Sequence, residues 1–157
     1  MSKITPFLWF DHHAEEAMNI YVSIFPNSRV IELKHWPEGS PYPKGSAQAV
    51  VFELDGRRFM GMDAGPRFKF TEAISMFVSC QDQGEVDYYW EQLTADGGEE
   101  GMCGWLKDKF GLSWQIVPVQ LMEALGDPDP GRAGRATEAM LKMRKIDVAA
   151  IQAAAEG

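Results

Sequence analysis

LWFDHHAEEA at residues 8–17 and VSCQDQGEVD at residues 78–87 share one pattern: apolar strand residues, an aspartate, then an acidic helix start. Upstream of the first, residues 4–10 (ITPFLWF) read as a strand apolar on both faces. Downstream, Asp11 is expected to cap a helix in which Ala14, Ala17, Met18, Tyr21, Val22 and Phe25 recur at helical spacing. Pro26 and Asn27 end it. Around the second stretch, residues 73–80 (AISMFVSC) read as a strand and Asp82 with Glu85 as a capping box. Val86, Tyr89, Trp90 and Leu93 then line one helix face, and Gly97-Gly98 stops the helix.

Each strand–helix pair leads into a meander. After the first come strands at 29–36 (RVIELKHW) and 47–54 (AQAVVFEL), separated by the loop PEGSPYPKGS. Asp55-Gly56 signals a type I′ hairpin turn, whose two central residues both need positive φ, and the chain returns through 57–63 (RRFMGMD). After the second, shorter strands are predicted at about 101–107 and 112–118. The order strand, helix, meander therefore occurs twice, with slight identity between the halves. From residue 121 the chain turns helical. Ala136, Ala139, Met140 and Met143 fall at helical spacing after the break Asp127-Pro128-Asp129-Pro130, and Asp147 is placed to cap a last short helix.

The 157 residues carry 23 acidic against 15 basic side chains, a net charge of −8. Lys and Arg are scattered rather than clustered, which argues against nucleic acid and against an anionic membrane surface. No apolar run approaches the roughly 20 residues of a membrane span. The start, MSKITPFLWFDHH, lacks a small-residue cleavage site, so a signal peptide is not expected and a cytoplasmic location is. Cys80 and Cys103 have neither a C-x-x-C nor a zinc spacing and read as reduced thiols, with a disulfide or a nucleophile as the alternatives.

Four segments resemble the PhnB-like proteins: PFLWFDHHAEEAMNIYVSIFPNS, FELDGRRFMGMDAGPRFKFTEAISMFVSC, EVDYYWEQL and, most specifically, CGWLKDKFGLSWQIVP. The tail from DPDP through AMLKMRKIDVAAI does so too. That group is a branch of the vicinal oxygen chelate (glyoxalase/bleomycin-resistance/dioxygenase) superfamily, and its members often carry the label 3-demethylubiquinone-9 3-methyltransferase. The resemblance implies an α+β fold of two βαβββ modules, about 1–65 and about 72–118, forming a cupped eight-stranded mixed sheet, with C-terminal helices over 119–157. It also implies a homodimer, with modules sometimes exchanged, and a cavity for metal and substrate.

Mapped onto this chain, the family's metal positions fall on Thr5, Asp63, a residue near Ser75, and Gln115. Only Asp63 is a strong anionic ligand, so no catalytic transition metal is expected, although a divalent metal stays open as the alternative. His12 and His13 are adjacent rather than i, i+4, and read as a solvated first turn; His35 reads as surface. S-adenosylmethionine would need a Gly-rich strand-to-helix turn, and LWFDHHAEE has no glycine. Cys103 has no neighbouring base, and Ser113 lacks a nucleophile-elbow context, so no catalytic residue is assigned. Trp9, Asp63, Trp114 and Gln115 remain as candidates to bind a small organic molecule in a barrel cavity, with Phe59 and Trp105 also on strands. The competing readings are that the Trp residues are plain core and Asp63 a surface strand end. The competing functions are a metal-dependent glyoxalase- or dioxygenase-type enzyme, a sequestering protein like the antibiotic-binding relatives, and the methyltransferase of the family label.

Overall fold

In the computed structural model, which describes residues 2–157, Asp55 and Gly56 hold φ of 48° and 77°, as a type I′ turn requires. The turn joins β3 (Ala47–Leu54) to β4 (Arg57–Asp63), the two strands falling where the sequence predicts them. The chain divides into two compact units between Phe70 and Thr71.

The first unit holds β1 (Phe7–Phe10), α1 (Ala14–Ile24), β2 (Arg29–His35), β3 and β4, in a mixed sheet of order β1-β4-β3-β2 with β1 parallel to β4. β1 is shorter than the predicted 4–10, because Pro6 has no N–H to donate and only its carbonyl reaches the neighbour, accepting from Met60 N at 3.0 Å. α1 buries Ala14, Ala17, Met18, Tyr21 and Ile24. Phe25, predicted on that face, is the extended C-cap, so Ile24 takes the last core place. Tyr21 meets Phe52 of β3, which stacks on Phe59 of β4 at 5.5 Å. Asp11 does not cap α1. The cap position is His13, with no side-chain bond of its own.

β2 is the outermost strand and is exposed along most of its length. Its pairing with β3 is interrupted twice, between Val30 and Glu32 and between Lys34 and His35.

The second unit repeats the plan with β5 (Ser75–Cys80), α2 (Gln83–Thr94), β6 (Glu99–Glu100), β7 (Trp105–Lys107) and β8 (Ser113–Pro118), in sheet order β5-β8-β7-β6. The capping box forms: Glu85 N donates to Asp82 Oδ1 at 2.9 Å, and Gln81 N to Glu85 Oε2 at 2.9 Å. The predicted strand at 101–107 is instead a turn plus one arm of a hairpin. Glu99 and Glu100 pair with Lys107 and Leu106, and Cys103 and Gly104, at φ 59° and 82°, reverse the chain between them.

Three helices complete this unit: α3 (Val119–Leu125), α4 (Pro130–Leu141) and α5 (Val148–Glu156). Val117, Leu121, Ala136, Ile146, Ile151 and Ala155 form their core, with Met140 and Met143 packed against it. Asp147 caps α5 as predicted, accepting from Ala150 N at 3.0 Å. The tail is tied back to the β6–β7 turn. Cys103 N donates to Met143 O at 2.7 Å and Gly104 N to Arg144 O at 2.8 Å, while Gln83 of α2 bonds both Ile146 O and Val148 N. Among the described residues no helix is long and apolar enough to cross a membrane.

Candidate functional site

Successive strand residues point to opposite faces, so one anchored contact assigns a whole sheet. In the second unit Trp90 of α2 donates its indole N–H to Glu100 Oε1 at 2.6 Å. Glu100 pairs with Leu106, and Leu106 with Trp114, which puts these residues on the face that α2 covers. The opposite face is then built from two rungs. One carries Glu99, Lys107, Ser113 and Ser75; the next carries Trp105, Gln115 and Phe77.

Polar and aromatic groups meet on that face. Gln115 Nε2 donates to Ser75 Oγ at 2.9 Å, leaving the amide a second N–H and a carbonyl with bonding capacity. Phe77 is 52% exposed beside it, and Trp105 and Gln115 are half-buried. Lys107 pairs with Glu72, which holds the Glu72 carboxyl below its ordinary range and the Lys107 ammonium above its own. Trp105, Lys107 and Ser113 line a cavity of about 530 Å³ together with Glu72, Glu99 and Met102.

The four sequence candidates part company. Trp9 donates its indole N–H to Gly65 O at 2.9 Å and meets Phe68 edge-on at 4.9 Å, on the face of the first sheet opposite α1. Asp63 lies on the other face of that sheet, 3% exposed, in register with Phe10. Its Oδ1 accepts from Ala14 N and its Oδ2 from Ala47 N, each at 2.8 Å. It is therefore neither a surface strand end nor oriented like Gln115. The alternation PheMetGlyMetAsp over 59–63 carries the reason: Asp63 shares its face with Phe59, which is core. Counting back three residues from each strand end, the counterpart of Gln115 in the first sheet is Met60, which pairs with Phe7 as Gln115 pairs with Phe77. Trp114 is 3% exposed on the helix-covered face, with its indole N–H on Asp108 Oδ2 at 2.9 Å. Gln115 alone of the four stands in the cluster just described. Phe77 and Trp105 are the partners that sequence reading did not pair with it, although strand parity carries that signal.

The donor set does not fit a transition metal. Among the described residues no three His, Cys, Asp or Glu side chains gather. Thr5 lies ahead of β1, both Asp63 oxygens hold backbone amides, and Ser75 with Gln115 offers only a hydroxyl and an amide. The histidines all belong to the first unit, beside carboxylates: His12 with Asp11, His13 with Glu16, His35 with Glu15. A nucleotide-like cofactor such as S-adenosylmethionine fits no better, since both strand-to-helix junctions are closed, α1 by Asp63 and α2 by its capping box. Burial pushes the Cys80 thiol up to about 12, and Cys103 is half-buried in its turn.

A family model described as 3-demethylubiquinone-9 3-methyltransferase matches residues 2–117, so α3 to α5 lie beyond it. Among solved structures, a Bacillus cereus protein described as a 3-demethylubiquinone-9 3-methyltransferase, PhnB protein, is 36% identical with a TM-score of 0.70; the match covers 74% of this chain and 99% of that one. A Pseudomonas aeruginosa protein is similar at 18% identity and a TM-score of 0.63, covering 75% and 98%. The fosfomycin resistance protein FosX of Listeria monocytogenes, solved with Mn(II) and 1S,2S-dihydroxypropylphosphonic acid, is similar at 18% identity and a TM-score of 0.54, covering 73% and 90%. These last two likenesses concern the fold. Among curated proteins none matches the chain.

Proposed function

The chain belongs to the 3-demethylubiquinone-9 3-methyltransferase-labelled, PhnB-like family of the vicinal oxygen chelate superfamily, and from that premise we propose that it binds a small organic molecule without a catalytic transition metal. The site is the face of the second sheet opposite α2. The observation that carries this reading is the Gln115–Ser75 hydrogen bond at 2.9 Å, set between Trp105 and Phe77 on one rung. A small-molecule site needs apolar walls and a few fixed polar groups, and this rung supplies both. The Ser75 bond holds the Gln115 amide in place while leaving its carbonyl as acceptor and one N–H as donor.

Methyl transfer would require a cofactor seat, and metal-dependent lyase or dioxygenase chemistry a cluster of strong donors. The residues of this chain favour neither.

Native mass spectrometry of the purified protein tests the proposal. A copurifying organic molecule that is lost in Gln115→Ala, with the melting temperature of the ligand-free protein unchanged, is the expected result. Elemental analysis should give well under one equivalent of metal, and chelator should leave the melting temperature where it was. One tightly held Zn²⁺, Ni²⁺ or Fe²⁺ per chain overturns the reading.

A further inference from the structure

Ser113 is 1% exposed, and its Oγ has no hydrogen-bond partner among the described residues. Buried hydroxyls are bonded in the great majority of cases, so an unbonded one that borders open space marks a place where something else supplies the bond. Ser113 borders such a space, the cavity of about 530 Å³ at the β6–β7 end of the second sheet. That volume lies within the roughly 300–1,000 Å³ of small-molecule sites.

The surroundings restrict the occupant. Met102, Trp105 and Leu106 give the cavity an apolar wall. Its one cation, Lys107, is already paired with Glu72. Glu100 accepts from Trp90 and lies 3.8 Å from Arg144, and Glu99 is exposed. No unengaged cation is left on the lining to receive an anion, and three carboxylates oppose one.

Resting on the reading that this face binds a small molecule, we infer that the cavity takes an uncharged, largely apolar molecule of one or two rings whose single hydroxyl or carbonyl bonds Ser113. The hydroxyl of Ser113 both donates and accepts, so either group satisfies it.

Three probes of one shape separate the contributions: naphthalene, 2-naphthol and 2-naphthoate, titrated by ligand-observed NMR near neutral pH. On the wild-type protein 2-naphthol should bind about 3- to 10-fold more tightly than naphthalene, the worth of one neutral hydrogen bond. 2-Naphthoate should bind most weakly. In Ser113→Ala the advantage of 2-naphthol should vanish while naphthalene binds as before; the wild-type comparison stands even if that variant folds poorly. Equal wild-type affinities for naphthalene and 2-naphthol overturn the inference. So does a gap that survives in Ser113→Ala, tightest binding by 2-naphthoate, or binding by none of the three. The broader reading is judged separately, by whether Gln115→Ala loses the copurifying molecule.

Discussion

Asp63 and Ala14, 49 positions apart, are joined by a 2.8 Å bond from the first amide of α1 to a buried carboxylate at the end of β4. The second oxygen holds Ala47 N where β3 begins. One side chain thus fixes the start of a helix and the start of a strand, and a negative charge at a helix N-terminus is favourable in itself.

Asp63→Ala should therefore destabilise the protein by about 3–5 kcal/mol, because it strands two buried N–H groups at about 1–3 kcal/mol each. Asp63→Asn keeps one acceptor and should cost less. Urea denaturation checks the order wild type, Asn, Ala. Near-equal midpoints for wild type and Ala would sink the keystone role.

Cys80 should resist labelling in the folded protein at pH 8 while Cys103 reacts, since Cys80 is buried and its thiol is held up at about 12. The raised value has a consequence for stability. Above the ordinary 9.0 the unfolded chain releases this proton and the folded one keeps it, so stability is lost as pH rises from about 9 toward 12. Cys80→Ala should flatten that fall, as read from denaturation midpoints at successive pH values. An unchanged slope refutes it.

Two glycines should respond with opposite sign. Gly104 has φ +82°, and a Cβ there would come within 3.0 Å of Ile116 O and 3.1 Å of Ile146 Cγ1, so Gly104→Ala should destabilise. Gly134 sits inside α4 with nothing within 4 Å, and Gly134→Ala should stabilise by about 0.5–1 kcal/mol. Melting temperatures that move in the same direction contradict this.

Gln83→Ala should loosen the tail. The amide of Gln83 bonds Ile146 O at 2.9 Å and accepts from Val148 N at 2.8 Å, so its loss should cost about 1–3 kcal/mol and speed hydrogen exchange at Val148, Cys103 and Gly104. Protection unaltered at those amides would mean that the tail docks through its apolar core alone.

How much of this is legible in the chain depends on how local the cause is. The β3–β4 hairpin reads to the residue because its turn needs two positive φ angles that Asp55-Gly56 accepts. α2 reads because its cap lies within four residues of its start. The cap of α1 is not legible, since it arrives from another strand after 49 residues. β6 escapes because two residues show no period. At the site, parity along β4 was sufficient to turn Asp63 inward with Phe59. That Trp114 gives its N–H to Asp108, six residues earlier, only the folded turn reveals.

The broken ladder of β2 has a bearing on how this protein tolerates crowding with itself. Between its two interruptions only Glu32, Leu33 and Lys34 pair in unbroken succession. An incoming strand would find three residues of regular template, one of them a lysine, although Val30 and Leu33 lie open. Fibril growth by stacking of like edges demands a longer flat run than that, so the irregularity keeps an apolar border from becoming a seed.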